Sequence, residues 1–406
     1  MPAPYDLQSA QFFNNPYPTF ARMRRDDPVY WNEELNVFMV SRFPDVHALA
    51  RIPNTTPERV DAFFRNLTNP DPDKNSAVHR MLCNWLDVCD WLVSSRPPGY
   101  SWLRELVAQA FSPEMPSPEA DIRNLTGQVL NNLTDAPEIE VVDEIGGAMA
   151  SEILSVTLGL SPADFSRLQQ WTYDILNVAS WTGNPDQTIA KAYEAICELG
   201  AYVSALPGLD STELHQALAD AKQHGLSLST QELISTCTVL LIGGHEATTK
   251  LIANSLLALL RHPDQMARLR AEPSLLRSAV QESMRYESVA MHTFRIATAD
   301  LTLPSGTIPA GSVILGLIPA ASHDDSVYTD PECLDITRQH PQHDDLGQAP
   351  HICAAWAMAH TEGLTILHEI LQRFPALHLA AHDITYPRDM NLRSPHTLYI
   401  TRSASL

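Results

Sequence analysis

A mainly helical chain with a small β region is what the patterning predicts, and three stretches carry that expectation. From about 114 to 228, apolar residues recur at three- and four-residue spacing, with turns at Gly159-Leu-Ser-Pro162 and Leu206-Pro-Gly208. Residues 229–263 read as one long capped helix. Strand patterning is short by comparison. Its clearest case is Val29-Tyr-Trp31 and Val37-Phe-Met-Val-Ser41 around the polar turn Asn32-Glu-Glu-Leu-Asn36, a hairpin.

The 406 residues are enough for one large domain or two to three ordinary ones, and no linker-like break argues for a split. A 44% hydrophobic, 18% charged composition is that of a globular protein. The net charge of −21 argues against nucleic acid or an anionic membrane surface as partner. Cysteines at 83, 89, 197, 237, 333 and 353 show no paired metal-finger spacing, and Met1-Pro-Ala-Pro-Tyr5 has no signal-peptide core, so a reducing cytoplasm is the expectation. The best candidate for a membrane span is broken by His245, Glu246 and Lys250.

In chain order, residues 1–28 read as a lead-in and an amphipathic helix, with Phe20 and Met23 following Asn15-Pro-Tyr-Pro18. Residues 53–78, rich in Asn, Asp and Pro, read as loop with a short helix. Around Arg96-Pro-Pro-Gly-Tyr-Ser-Trp-Leu-Arg104, Tyr100 and Arg104 are four apart and share a helix face, for which a solvated amphipathic surface is the ordinary reading.

The long helix opens with a capping box, Ser229-Thr-Gln-Glu232, and Pro263 supplies its stop. About 34 residues at 1.5 Å each give roughly 50 Å, enough to cross a whole domain. In its middle lies Gly243-Gly-His-Glu-Ala-Thr-Thr249, two glycines that cost helix stability and a carboxylate in apolar surroundings. Either these are packing glycines beside a solvated Glu246, or the helix is kept clear there for a flat object or another backbone.

Glu282-Ser-Met-Arg285 is a helical i, i+3 pair, ordinarily a surface ion pair. Strand-like sequence follows around Arg295, Pro304 to Gly306 and Gly311. The loop Leu346-Gly-Gln-Ala-Pro-His-Ile-Cys353 then runs into a helix extending to Phe374. A cysteine at the mouth of a helix has its thiolate stabilised by unpaired N–H groups and the helix dipole. Cys353 is thus either a buried apolar thiol or a soft metal ligand. Short strands close the chain, with Leu392-Arg-Ser-Pro-His-Thr397 as a turn between them.

In this order, the motifs resemble those of the cytochrome P450 family, and the resemblance covers nearly all of the chain. The family's cysteine loop is Phe-Gly-x-Gly-x-His-x-Cys-x-Gly; Gly347, His351 and Cys353 match, while Leu346, Ala349 and Ala355 depart. "LLIGGHEATTKLIANSLLALLRHPDQ" is similar to the distal, oxygen-binding helix of bacterial members. "NPYPTFARMR" and the hairpin after it resemble their N-terminal helix and first sheet.

The resemblance implies a single domain over 1–406 with the P450 fold, mainly α with a small β region. It implies haem b (iron protoporphyrin IX) as cofactor, with Cys353 on the iron, and Tyr100, Arg104, Arg295 and His351 at the propionates. Gly243 and Gly244 would form the oxygen groove, and Glu282 and Arg285 the brace of the haem-side core. By the same carry-over Glu246 is the acid of an acid–alcohol proton relay, whose alcohol position is Ala247. Thr248 is the next hydroxyl but lies about 100° further round the helix. Ala247, Ala290, Met291 and His292 would face substrate. Further departures are Trp102, in place of a second arginine, and Cys333, in place of an arginine third partner for Glu282 and Arg285, which should leave that pair less well satisfied.

The activity so implied is a haem-thiolate monooxygenase of bacterial secondary metabolism, acting on a small organic molecule with O2 and electrons from a ferredoxin/ferredoxin reductase or similar donor. Thiolate ligation favours O–O cleavage. The rival readings are a P450-like auxiliary protein with little catalysis, prompted by the eroded positions, and a haem-thiolate enzyme of peroxide-driven or coupling chemistry. Trp102, His360, Asp344 and Asp345 should weaken docking of acidic ferredoxins on the cysteine side.

Overall fold

The computed structural model describes residues 4–49, 51–52, 54–56, 118–158, 161–177, 185–205, 230–339 and 356–402. At the N-terminus, α1 (Ala10–Asn14) is capped by Ser9, whose hydroxyl accepts from the Phe12 amide at 3.2 Å. Helix α2 (Tyr17–Asp26) begins at prolines that suit a first turn and buries Phe20 and Met23, as the sequence leads one to expect. The hairpin forms as β1 (Val29–Asn32) and β2 (Val37–Val40), in register Val29↔Val40 to Asn32↔Val37. Asn32 belongs to the strand rather than the turn, and its side chain accepts from the Leu35 amide at 3.0 Å. Asn36 closes the turn at φ 54°, a left-handed conformation asparagine tolerates.

After α3 (Phe43–Leu49) and β3 (Thr55–Thr56), the described chain resumes with α4 (Pro118–Asn132). The helical spacing over 114–228 holds for α4, α5 (Ala148–Leu158), α6 (Phe165–Asn177) and α7 (Pro185–Ser204), but it hides a strand, β4 (Glu138–Glu140). That strand exists because a distant one meets it: β10 (Tyr399–Thr401) pairs with it through Tyr399↔Glu140. Glu140 then caps the π-helical turn Val141–Gly147, accepting from the amides of Val142 and Asp143.

Helix α8 (Thr230–Arg261) is the predicted long helix, 32 residues or about 48 Å. Ser229 of the proposed capping box lies outside the described residues. Pro263 does not simply stop α8; it opens the next helix, α9 (Pro263–Ala271), a first-turn role its missing N–H favours. Then come α10 (Leu276–Tyr286), β5 (His292–Ala297), the hairpin of β6 (Leu301–Leu303) with β7 (Gly306–Ile308), β8 (Val313–Leu317) and the short α11 (Ile318–Ala321). Helix α12 (Trp356–Arg373) and β9 (His378–Leu379) precede β10.

The main sheet has order β1-β2-β8-β5-β3, parallel between β2 and β8 and otherwise antiparallel; β4-β10-β9 form a second, smaller sheet. The fold is thus mainly α with a small β region. Its largest apolar cluster wraps α8: Leu251, Ile252, Leu256 and Leu257 meet Ile145, Met149, Val280, Met284, Ile366 and Ile370 from neighbouring helices. At Gly146 a Cβ would lie 2.9 Å from Thr249 Cγ2 and 3.1 Å from its Cα, so a glycine is what lets the π-helical turn seat against α8.

Candidate functional site

The glycine turn of α8 has two contrasting sides. A Cβ placed on Gly243 would meet nothing within 4 Å among the described residues, so one side of the helix is clear there. On the other side Gly244 rests on Leu154 of α5, 3.1 Å from where its Cβ would be. Three residues after Gly243, Glu246 is buried but not in apolar surroundings, because Lys250 pairs with it one turn further along. This i, i+4 Glu–Lys spacing was readable from the sequence.

Thr248 turns toward α12. Its hydroxyl donates to Glu362 Oε2 at 2.7 Å, with both residues buried, at 1% and 4% exposure. Burial pushes the Glu362 carboxyl from 4.5 up to about 7, with the Thr248 bond working the other way. Sequence reasoning missed Glu362. Its signal was a lone carboxylate in the run Ala-Met-Ala-His-Thr-Glu-Gly-Leu-Thr-Ile-Leu, visible only once α12 is known to be buried.

The Glu282–Arg285 pair is fully buried, at 0% and 1% exposure, rather than a surface ion pair. The guanidinium donates twice to the Glu282 carboxylate, at 2.8 Å each, and to the carbonyls of Ser322, Pro331 and Cys333 at 2.8–3.2 Å. All five guanidinium N–H groups are thereby accounted for. The expected shortfall from Cys333 does not arise. Arg338, five residues further on, donates to Glu282 Oε1 at 3.1 Å, and Cys333 contributes its backbone carbonyl while its side chain is exposed.

On the β5 side, Arg295 is 5% exposed and donates from Nη1 to the Phe294 carbonyl at 2.7 Å and to Thr293 Oγ1 at 3.2 Å, both neutral acceptors. Ala290 is half-buried and bridges to Leu392 of the C-terminal turn. His292, also half-buried, has Nδ1 at 2.9 Å from the Met390 carbonyl, so that nitrogen carries the proton. Met291 is 2% exposed and packs among Phe12, Phe20, Met23 and Met390, which commits its side chain to the apolar core beside the N-terminal helices.

Tyr100, Trp102, Arg104, Asp344, Asp345, His351 and Cys353 lie outside the described residues, as does nearly all of the predicted loop at 53–78. His360 is 5% exposed, which removes it from any surface that docks a redox protein. A cavity of about 540 Å³ opens at the C-terminal end of α8, lined by Tyr17, Arg261, Tyr286, Glu287, His323 and Arg393, and takes in none of the Gly243–Thr249 turn.

The family model for cytochrome P450 matches residues 208–390, which include the glycine turn, the Glu282–Arg285 pair and Arg295. Across nearly the whole length, the chain is 30% identical over 397 residues to the cytochrome P450 monooxygenase PikC of Streptomyces venezuelae, spanning 93% of this chain and 89% of that protein. The chain belongs to the cytochrome P450 family. A second relative, the biotin biosynthesis cytochrome P450 of Bacillus subtilis (strain 168), is 28% identical over 399 residues, 97% of this chain and 98% of its own. Among solved structures, P450BioI in complex with a hexadec-9Z-enoic acid ligated acyl carrier protein superposes with a TM-score of 0.86 at 26% identity, covering 97% of this chain and 99% of that one.

As a P450 the chain is a monooxygenase-class enzyme with a haem-iron cofactor, and P450s act on small molecules with electrons from redox partners. The described residues fit that cofactor. A helix side left clear at Gly243 suits a flat ring, and a buried guanidinium at Arg295 suits the carboxylates such a ring carries. Among the described residues no helix is long and apolar enough to cross a membrane.

Proposed function

We propose that this P450 is a haem b monooxygenase of bacterial secondary metabolism, inserting one oxygen atom of O2 into a small organic molecule, with Cys353 as the thiolate ligand of the iron. Haem, when bound, supplies the activation of O2. Arg104, Arg295, His351 and Tyr100 hold its propionates, Gly243 keeps α8 out of its way, and Gly244 lets the opposite side of the helix seat on Leu154. Glu282 and Arg285, tied by Arg338 to the segment after α11, brace the core on the cysteine side. Glu246 holds a carboxylate against Lys250, and Thr248 a hydroxyl against Glu362. Ala247, Ala290 and His292 face substrate; Met291 acts from behind them by packing.

One observation carries the reading: a single stretch of α8 leaves its side clear at Gly243 while presenting a carboxylate at Glu246 and a buried hydroxyl at Thr248. The domain is the whole of 1–406, working in the cytoplasm with a ferredoxin and its reductase or a similar donor. The biosynthetic name of the Bacillus subtilis relative supports a biosynthetic substrate. The neighbour held with an acyl-loaded carrier protein makes carrier-bound as well as free acids worth assaying.

The test is turnover of the haem-loaded protein under isotopically heavy O2 with a reconstituted electron donor. One heavy oxygen atom in the product and one in water is the expected result. Product oxygen drawn from solvent, or oxidation supported by peroxide alone, would overturn it.

A further inference from the structure

We infer that the cavity of about 540 Å³ at the C-terminal end of α8 is a second ligand site, shaped for a small aromatic acid whose carboxylate is taken by His323 and Arg261. The cavity takes in none of the Gly243–Thr249 turn, so its occupant is separate from whatever lies on the haem side of α8.

His323 is the first ground. It lies just after α11, lines the cavity and is 1% exposed, yet neither ring nitrogen has a hydrogen-bond partner among the described residues. Leaving such a group unsatisfied costs about 1–3 kcal/mol, which a ligand reaching it through the cavity would recover. The polar groups around it are engaged elsewhere. From α2, Arg24 donates to the Ala320 carbonyl and pairs with Glu332. From α10, Arg285 pairs with Glu282, while Glu287, at the end of that helix, accepts from the Tyr17 hydroxyl and faces Arg393 at 3.6 Å. After α11, Asp324 accepts from the amides of Phe43 and Ser326, and Arg338 donates to Glu282. Burial, with the guanidiniums of Arg285, Arg24 and Arg338, keeps the imidazole neutral and its pKa well below the usual histidine value.

That setting favours an anion. The same guanidiniums that disfavour a charged imidazole attract a negative ligand. Arg261 keeps 42% of its side chain exposed and stands 4.0 Å from Glu287, too far for a hydrogen bond, so it can turn to an occupant. Helix α2 begins at the cavity wall with Tyr17 and Pro18 and has no side-chain cap, which adds the positive end of its dipole. One negative charge suits the site better than two, because Glu287 and Glu332 line it as well. The rings of Tyr17 and Tyr286 stand nearly perpendicular to that of His323, at 4.5 and 5.8 Å, and with Pro18 and Ala21 they form an apolar wall for an aromatic body. A carboxylate arriving there makes the charged imidazole favourable, so His323 takes up a proton from solvent on binding. Affinity should therefore rise as pH falls, until His323 is protonated in the free protein too.

The experiment uses the full-length haem-loaded protein with benzoate as probe, and benzyl alcohol and inorganic phosphate as its uncharged and non-aromatic counterparts. Calorimetry should show benzoate binding at one site, more tightly at about pH 6 than at about pH 8, with proton uptake revealed by buffers of different ionisation heat. Benzyl alcohol and phosphate should each bind at least about tenfold more weakly, and Arg261→Gln and His323→Phe should each weaken benzoate by a similar factor. In nitrogen-15 histidine spectra, the ring signal missing from His323→Phe should move from neutral imidazole to imidazolium as benzoate is added. The haem absorption spectrum, unchanged on benzoate addition, places the ligand away from the iron. Benzoate binding that survives both substitutions, phosphate or benzyl alcohol binding as tightly as benzoate, or a His323 signal that stays put would overturn the assignment.

Discussion

Replacing Glu362 by glutamine removes an ionisable group while the amide oxygen still accepts from Thr248, so the variant isolates the cost of charge at that position. The carboxyl titrates near 4.5 when exposed and at about 7 in the fold. A raised value means the folded chain holds the proton more tightly than the unfolded one. The stabilisation that proton contributes is therefore complete below about pH 4.5 and is lost as pH rises through about 7. A gap of roughly 2.5 units corresponds to about 3 kcal/mol. Urea denaturation of both proteins at a series of pH values, with ellipticity as the signal, gives a difference curve in which all other titrations cancel. That curve should be level below about pH 4.5, should climb in favour of Glu362→Gln, and should flatten near 3 kcal/mol above about pH 7. A difference that stays constant from acid to neutral pH would show that Glu362 reaches water and would refute the burial argument.

Other perturbations test the remaining pieces. Glu282→Ala strands two guanidiniums, one of them 1% exposed, and should cost about 3–5 kcal/mol in denaturant titrations. Cys333→Arg, on an exposed side chain whose expected role Arg338 already fills, should change stability by less than about 0.5 kcal/mol. Gly146→Val forces the π-helical turn away from Thr249 and should lower stability by about 1–3 kcal/mol, read as a fall in Tm. Lys250→Met leaves the buried Glu246 carboxylate without its cation and should lower stability in denaturant titrations, and an unmoved midpoint would show that the pair does not support the fold. Acidic ferredoxins should reduce the −21 chain slowly, and fast reduction that slows steeply with salt would contradict this.

What could be read from the sequence was local. The span of α8 followed from a capping pattern and a proline, the hairpin from alternation around a polar turn, and the Glu282–Arg285 pair from i, i+3 spacing. What escaped depended on partners far away in the chain. Strand β4 is stabilised by β10, Glu362 gains meaning from a threonine 114 residues earlier, and Arg338 reaches Glu282 across 56 residues. Met291 illustrates the limit from the other side: its position shortly before Arg295 pointed to substrate, while the apolar cluster it shares with the N-terminal helices holds the side chain in the core. Where a departure from the family pattern was visible, as at Cys333, one residue could not reveal that a neighbour five positions on already supplied the missing charge.

The central claim is a sulfur–iron bond from Cys353, and the reduced, carbon-monoxide-bound spectrum of the purified protein tests it most directly. A red-shifted, thiolate-type band that vanishes in Cys353→Ala is the predicted result. Protein that takes up no haem when supplied with it, or a band unchanged by the substitution, would contradict it.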